Sequence, residues 1–223
     1  MKYNEKMYSE KHNLYYVQER EEMIKFIPED GLSILDVGCS AGGFGRLIKK
    51  RFPNSIVWGI EPNVESYEKA KLELDFTIND IFSSQTIKEE IKFDLIFFND
   101  VLEHMEDPWQ ALILSHKYLK NNGKIVASIP NIQCYTVIKQ LIYEGDWKYT
   151  TSGILDKTHL RFFTKKSMIR LFVDCGFSIE VIEGANSVKK TSGVLKILNL
   201  FFGKKFENMN YITFNIVAEK KHG

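Results

Sequence analysis

The sequence predicts an α/β protein: a doubly wound, mostly parallel sheet of seven strands with an antiparallel C-terminal strand and helices on both faces. Two observations carry that reading. From Ser33 to Cys175, short β-rich runs alternate with helical stretches, the order that parallel strands joined by crossover helices require. The alternation then stops. Residues 177–183 and 211–219 are both strand-like with no long helix required between them, so they are expected to pair antiparallel.

Taken in order, SILDV at 33–37 is a continuous apolar run ending at Gly38, as a strand buried on both faces should read. IVWGI at 56–60 is the second strand, a weaker run at 74–78 the third, FDLIFF at 93–98 the fourth and KIVASI at 124–129 the fifth. Helices are expected over 43–52, 63–73, 107–120 and 167–175. Pro108 near the start of the third and Gly123 just past its end fit the usual asymmetry of helix termini.

The 223 residues suit a single domain, expected to span 1–223. Thirty lysines and arginines nearly cancel 29 aspartates and glutamates, so no global field favours nucleic acid. A small-molecule acceptor is the expected partner. Cys39, Cys134 and Cys175 are far apart, form no CxxC pair and exclude a disulfide framework or a cysteine-rich zinc site. The N-terminus lacks an apolar core of signal-peptide length, and no run reaches the roughly 18 apolar residues of a membrane span. A reducing cytoplasm is the expected location.

Two stretches break the pattern. Residues 131–165, rich in aromatic side chains, are expected to form a substrate lid, because long connections in compact domains are usually functional or ordered by small elements of their own. Residues 184–210 form an apolar insertion whose segment 192–206, SGVLKILNLFFGKKF, is too apolar for a narrow amphipathic stripe. It requires cover, from the domain itself, from a second subunit in a homodimer, or from a weak contact with a membrane surface.

The residues that point to chemistry cluster after the first strand. LDVGCSAGGF at 35–44 reads as a strand, a small-residue turn and a first helical turn, where glycines admit a ligand to the backbone and unpaired N–H groups face it. The second strand ends in Glu61-Pro62, an acid about 20 residues on, where a nucleotide-binding sheet sets a carboxylate against ribose hydroxyls. No P-loop pattern occurs. A dinucleotide-dependent dehydrogenase is the alternative oxidoreductase reading, weakened by Ser40 where the pyrophosphate needs glycine.

With GIEPN at 59–63, NDIF at 79–82, FDLIFFNDVLEHMEDP at 93–108 and THLRFFT at 158–164, these stretches resemble the class I S-adenosylmethionine-dependent methyltransferases, a Rossmann-like family. The latter part is similar to small bacterial methyltransferases of quinone, lipid or surface-polysaccharide pathways. The resemblance implies S-adenosyl-L-methionine as cofactor and S-adenosyl-L-homocysteine as product. It implies Asp36 and Gly38 near the methionine moiety, with Ser40 and Gly42 in the same turn. It places Glu61 on the ribose diol followed by Pro62, Asp80 on the adenine amino group with Ile81 as neighbour, and Asn99 on the floor of the site. Ser40 departs from the family's usual glycine, and the turn tolerates it if φ is negative.

Methyl transfer to a hydroxyl needs a group that takes the proton, and histidine suits the task. His104, at the carboxyl edge of the fourth strand, and His159, at the end of the lid, are the candidate catalytic residues; His116 reads as structural. Asp100, Glu103 and His104 share one face if that segment is helical. Some quinone-type methyltransferases bind a divalent cation with a similar set, although here Asp100 replaces a longer acid. A helix-start cluster without metal, with Glu103 facing solvent, is the preferred account. The expected activity is O-methylation of a small molecule; N- or C-methylation and a non-catalytic cofactor-binding domain are the alternatives.

Overall fold

The computed structural model describes residues 20–188, 193, 200 and 203–221. Strands β1 (Ser33–Val37), β2 (Ile56–Ile60), β3 (Phe76–Ile78), β4 (Phe93–Asn99), β5 (Leu119–Pro130), β6 (Phe177–Ser187) and β7 (Tyr211–Lys220) form one sheet in the order β3-β2-β1-β4-β5-β7-β6. All neighbours run parallel except β7, which is antiparallel to both β5 and β6. The expected class is what the chain adopts.

Helices α1 (Gly43–Arg51), α2 (Val64–Ala70), α3 (Pro108–Tyr118), α4 (Tyr135–Glu144) and α5 (Lys165–Asp174) accompany it. Their starts follow from local chemistry. The Asn63 side chain accepts from Ser66 N at the head of α2, and Asp107 from Gln110 N ahead of Pro108. Thr164 and Ser167 cap α5 reciprocally. The strands read as apolar on both faces because the core lies on both sides of the sheet. Leu35, Ile96, Phe98 and Ile125 join one cluster; Ile34, Leu95, Phe97 and Val126, the alternate residues, join the other.

Several boundaries differ from the sequence reading, two of them with a plain physical cause. β3 begins at Phe76 because Leu74 turns inward, into space that Gly45 and Gly59 leave by lacking a side chain. β5 begins at Leu119, five residues early, where α3 ends in extended backbone. Leu119 pairs with Phe93, and a Cβ on Gly123 would stand 2.9 Å from the Phe93 carbonyl oxygen. At the far margin β6 carries a bulge: Ile179 faces Ala218 and Val181 faces Val217, leaving Glu180 as the extra residue.

The connection from β5 to α5 carries small elements of its own. α4 ends at Gly145 with φ +64°, and Cys134, Val137, Ile154 and Leu155 form a satellite core with Trp147 and Phe162 against it. Most of segment 192–206 lies outside the described residues. No helix among the described residues is long and apolar enough to cross a membrane.

Candidate active site

The doubly wound order places β1 beside β4, with connections leaving them in opposite directions, β1 towards β2 and β4 towards β5. A crevice opens at such a switch point, outside the carboxyl ends of the strands. The turn after β1 and the segment after β4 meet there.

The first wall is the Gly38–Gly42 turn. Gly38 has φ +71°, and a Cβ on it would stand 2.7 Å from Val101 Cγ2, so that position requires glycine. Gly38 N and Cys39 N both donate to the Ile60 carbonyl, tying the turn to the end of β2. Ser40 corrects the sequence reading: its φ is +51°, not negative. That left-handed conformation costs an L-residue about 1–2 kcal/mol. The Ser40 N–H donates to Glu61 Oε2 at 2.9 Å, an interaction that holds the turn in place. Gly42 also lies in the left-handed region, at φ +79°. A Cβ there would lie 3.1 Å from Ala70 Cα and Glu73 Cβ, so it lets α1 begin against α2.

Glu61 is buried, and its second oxygen accepts from Asn63 N at 2.8 Å. Behind it Asn79 Nδ2 donates to the carbonyls of Glu61 and Pro62, fastening the end of β3 to the end of β2. Burial pushes the Glu61 carboxyl up to about 7 despite the two N–H donors. Burial also pushes Asp36 up to about 7, with the Glu61 charge acting in the same direction and the Arg20 guanidinium and Asn99 amide opposing. Asp36 Oδ1 and both side-chain atoms of Asn99 are buried and make no hydrogen bond among the described residues; the Asn99 amide faces Asp36 without closing one. Unpaired polar atoms at this depth cost stability and mark a place built for a polar ligand.

Two acids with raised values make stability depend on pH with a definite sign. Between their ordinary range and about 7 the folded chain holds more protons than the unfolded chain. Stability therefore falls as pH rises across that interval and levels off above it. We expect the ligand-free protein to melt at a higher temperature at pH 5.5 than at pH 8 by calorimetry. A melting temperature that climbs over that interval would contradict the burial of the two carboxyls.

Asp80 and Ile81 lie beyond β3. Asp80 is exposed, and its carboxylate accepts from Ile81 N at 2.7 Å, which aims the side chain along its own turn. On the opposite wall Asn99 pairs with Ser128 in the ladder. Asp100 adopts φ +52°, its N–H donates to Ser128, and its carboxylate accepts from Ser128 Oγ at 2.6 Å and pairs with Arg20. The expected grouping of Asp100 with Glu103 and His104 is therefore not assembled: the backbone reverses at Asp100, and only Leu102–His104 forms a short 3-10 turn.

The structure instead brings His159 to His104 and to Glu103, which is buried rather than facing solvent as expected. One ligand atom from each of the three lies within 4.8 Å of the others. His104 and His159 meet edge to face with ring centroids 4.7 Å apart, and His159 Nε2 is 3.9 Å from Glu103 Oε1. Leu160 N and Arg161 N donate to the Glu103 carbonyl, so backbone bonds tie the connection between β5 and α5 to the turn after β4. The two candidate histidines, 55 positions apart in sequence, thus share one site. His116 is structural as expected: Nε2 bonds the Cys175 carbonyl at 2.7 Å and the ring stacks on Phe177. Sequence reasoning missed Arg20, Val101, Ser128, Asp156 and Thr158. Ser128 alone carried a readable signal, a hydroxyl inside the otherwise apolar run KIVASI.

Comparison with known proteins adds to this geometry. Residues 8–181 match the family model described as a methyltransferase domain. Among curated proteins, malonyl-[acyl-carrier protein] O-methyltransferase 1 of Ilyobacter polytropus is 31% identical over 169 residues, 71% of this chain and 60% of that protein. The ubiquinone biosynthesis O-methyltransferase of Histophilus somni is 32% identical over 108 residues, 44% of each chain. The chain spans 38–60% of the length of the first curated relatives it matches. Among solved structures, a possible histamine N-methyltransferase of Thermotoga maritima superposes with a TM-score of 0.63 at 17% identity, covering 93% of this chain and 89% of that one. The plantazolicin methyltransferase in complex with SAH gives 0.63 at 18% identity, covering 98% and 90%.

Proposed function

The chain belongs to the methyltransferase-domain family, and from that premise we propose that it transfers a methyl group from S-adenosylmethionine to a hydroxyl oxygen of a small acceptor. The observation that carries the reading is the set of unpaired polar atoms at the floor of the crevice, Asp36 Oδ1 and the Asn99 amide, beneath a glycine that admits no side chain. Their chemistry fits the cofactor: buried acceptors suit its ammonium and hydroxyl donors, and the turn leaves room for close approach.

In this reading Asp36, Gly38 and Asn99 hold the methionine end and Glu61 the ribose diol. Ser40 fixes Glu61 from the turn, Pro62 follows it, and Asp80 with Ile81 flanks the adenine; Gly42 supports the turn from behind. The bound cofactor supplies an electrophilic methyl on a positively charged sulfur. What remains for the chain is to align the acceptor and to relieve it of a proton. His104 and His159 are the groups at hand, on the wall opposite Glu61, and the lid that carries His159 surrounds the acceptor. The O-methyltransferases among the relatives support oxygen as the receiving atom.

The test is release of S-adenosylhomocysteine from S-adenosylmethionine over a panel of catechols, sugars, acyl carboxylates and primary amines. Turnover confined to amines would overturn the oxygen assignment. Because the Glu103, His104 and His159 cluster is read as proton-handling, EDTA should leave the rate unchanged. Loss of activity in EDTA with recovery on adding magnesium would transfer that cluster to cation binding.

A further inference from the structure

We propose that Thr158 and Asp156 are positioning residues that hold His104, rather than His159, as the base of the reaction; the inference rests on the reading of methyl transfer to oxygen above. His104 Nδ1 lies 3.0 Å from the Thr158 carbonyl oxygen and 3.2 Å from Thr158 Oγ1. A carbonyl only accepts, so Nδ1 must carry a hydrogen. The Thr158 hydroxyl donates its own hydrogen to Asp156 Oδ1 at 2.7 Å, and therefore receives at His104 as well. Asp156 is held in turn by Thr158 N at 2.8 Å. Both Asp156 and Thr158 are buried, at 1% and 3% exposure.

The consequence is a fixed tautomer. With Nδ1 protonated, the neutral ring keeps its lone pair on Nε2, the ring nitrogen that does not bond Thr158. When Nε2 takes a proton, the positive charge spreads to Nδ1 and meets a chain of acceptors ending in a carboxylate. This is the logic by which an acid behind a histidine makes it a better base, here with a hydroxyl inserted between the two. His159 has the same tautomer, because Nδ1 bonds the Ile154 carbonyl at 2.9 Å. It differs in placement: His159 is buried against Glu103, whereas His104 is only half-buried. An incoming acceptor reaches His104 first.

Two measurements on the intact protein decide the matter, and neither needs an acceptor, so their failure is distinct from failure of the O-methylation reading. Long-range proton–nitrogen spectra of 15N-labelled protein, assigned with His104→Gln, should show the neutral His104 ring protonated at Nδ1. A proton on Nε2 overturns the proposal. Diethylpyrocarbonate, which acylates an unprotonated imidazole nitrogen, should modify His104 faster than His159 when the digested peptides are weighed. Thr158→Val should slow modification of His104 roughly tenfold, the weight of one hydrogen bond, and Thr158→Ser should restore it. A rate unchanged in Thr158→Val, with native circular dichroism, removes the positioning role. So does faster modification of His159.

Discussion

Turnover in a His104→Gln protein should fall by roughly 10²–10⁴-fold while affinity for S-adenosylmethionine stays within about twofold, the range expected for loss of a general base. Glutamine keeps most of the volume and can still donate a hydrogen bond to the Thr158 carbonyl, so the turn after β4 should survive. The cofactor end of the crevice is built from other residues, the Gly38 turn and Glu61, which explains why binding should be spared. His159→Gln is the companion measurement. Its ring faces Glu103, and its loss should disturb His104 only through the contact between the two rings. Near-normal rates in both proteins would mean that the acceptor arrives already nucleophilic.

Glu61→Ala should weaken cofactor binding by roughly 10²–10⁴-fold. Each charge-assisted hydrogen bond to the ribose diol is worth about 1.5–3 kcal/mol, and two are lost. The same change removes the acceptor of Ser40 N and Asn63 N, so the turn loses the carboxylate that holds a serine in a left-handed conformation. Glu61→Gln separates the two effects. The amide oxygen can still receive one of those N–H groups, and the charge is gone. Titration calorimetry on protein shown to be folded gives the answer, and unchanged affinity in Glu61→Ala would falsify the assignment of Glu61 to the ribose.

Much of the scaffold was legible because its signals are local. SILDV read as a doubly buried strand and FDLIFF as a strand from composition alone, and Pro108 announced α3. The halves of the crevice were legible for the same reason: a turn follows one strand and an acid follows the next. What escaped depends on long-range closure. Nothing near Ser40 shows that Glu61 will hold its N–H with φ positive. Helical spacing suggested that Asp100 joins Glu103, but Ser128 and Arg20 engage Asp100 from 28 and 80 positions away. Within the long connection, Thr158, whose carbonyl meets His104, sits directly before His159, and its own side chain carries no sequence signal for that contact.

The bulge at Glu180 bears on what happens at high concentration. Among the described residues the sheet ends in two margins that pair with no further strand, and such margins can recruit strands from other copies into fibres. At one end β3 offers only three residues, too little ladder for a stranger to grip. At the other, β6 runs for 11 residues and would be the hazard. Its extra residue throws the hydrogen-bond spacing out of step midway, so an intruding strand that matches one half cannot match the other. Glu180 and Glu183, each drawn to a lysine of its own chain, keep charge along that border. The irregularity thus acts as a safeguard against growth by edge addition, written into the last part of the sheet.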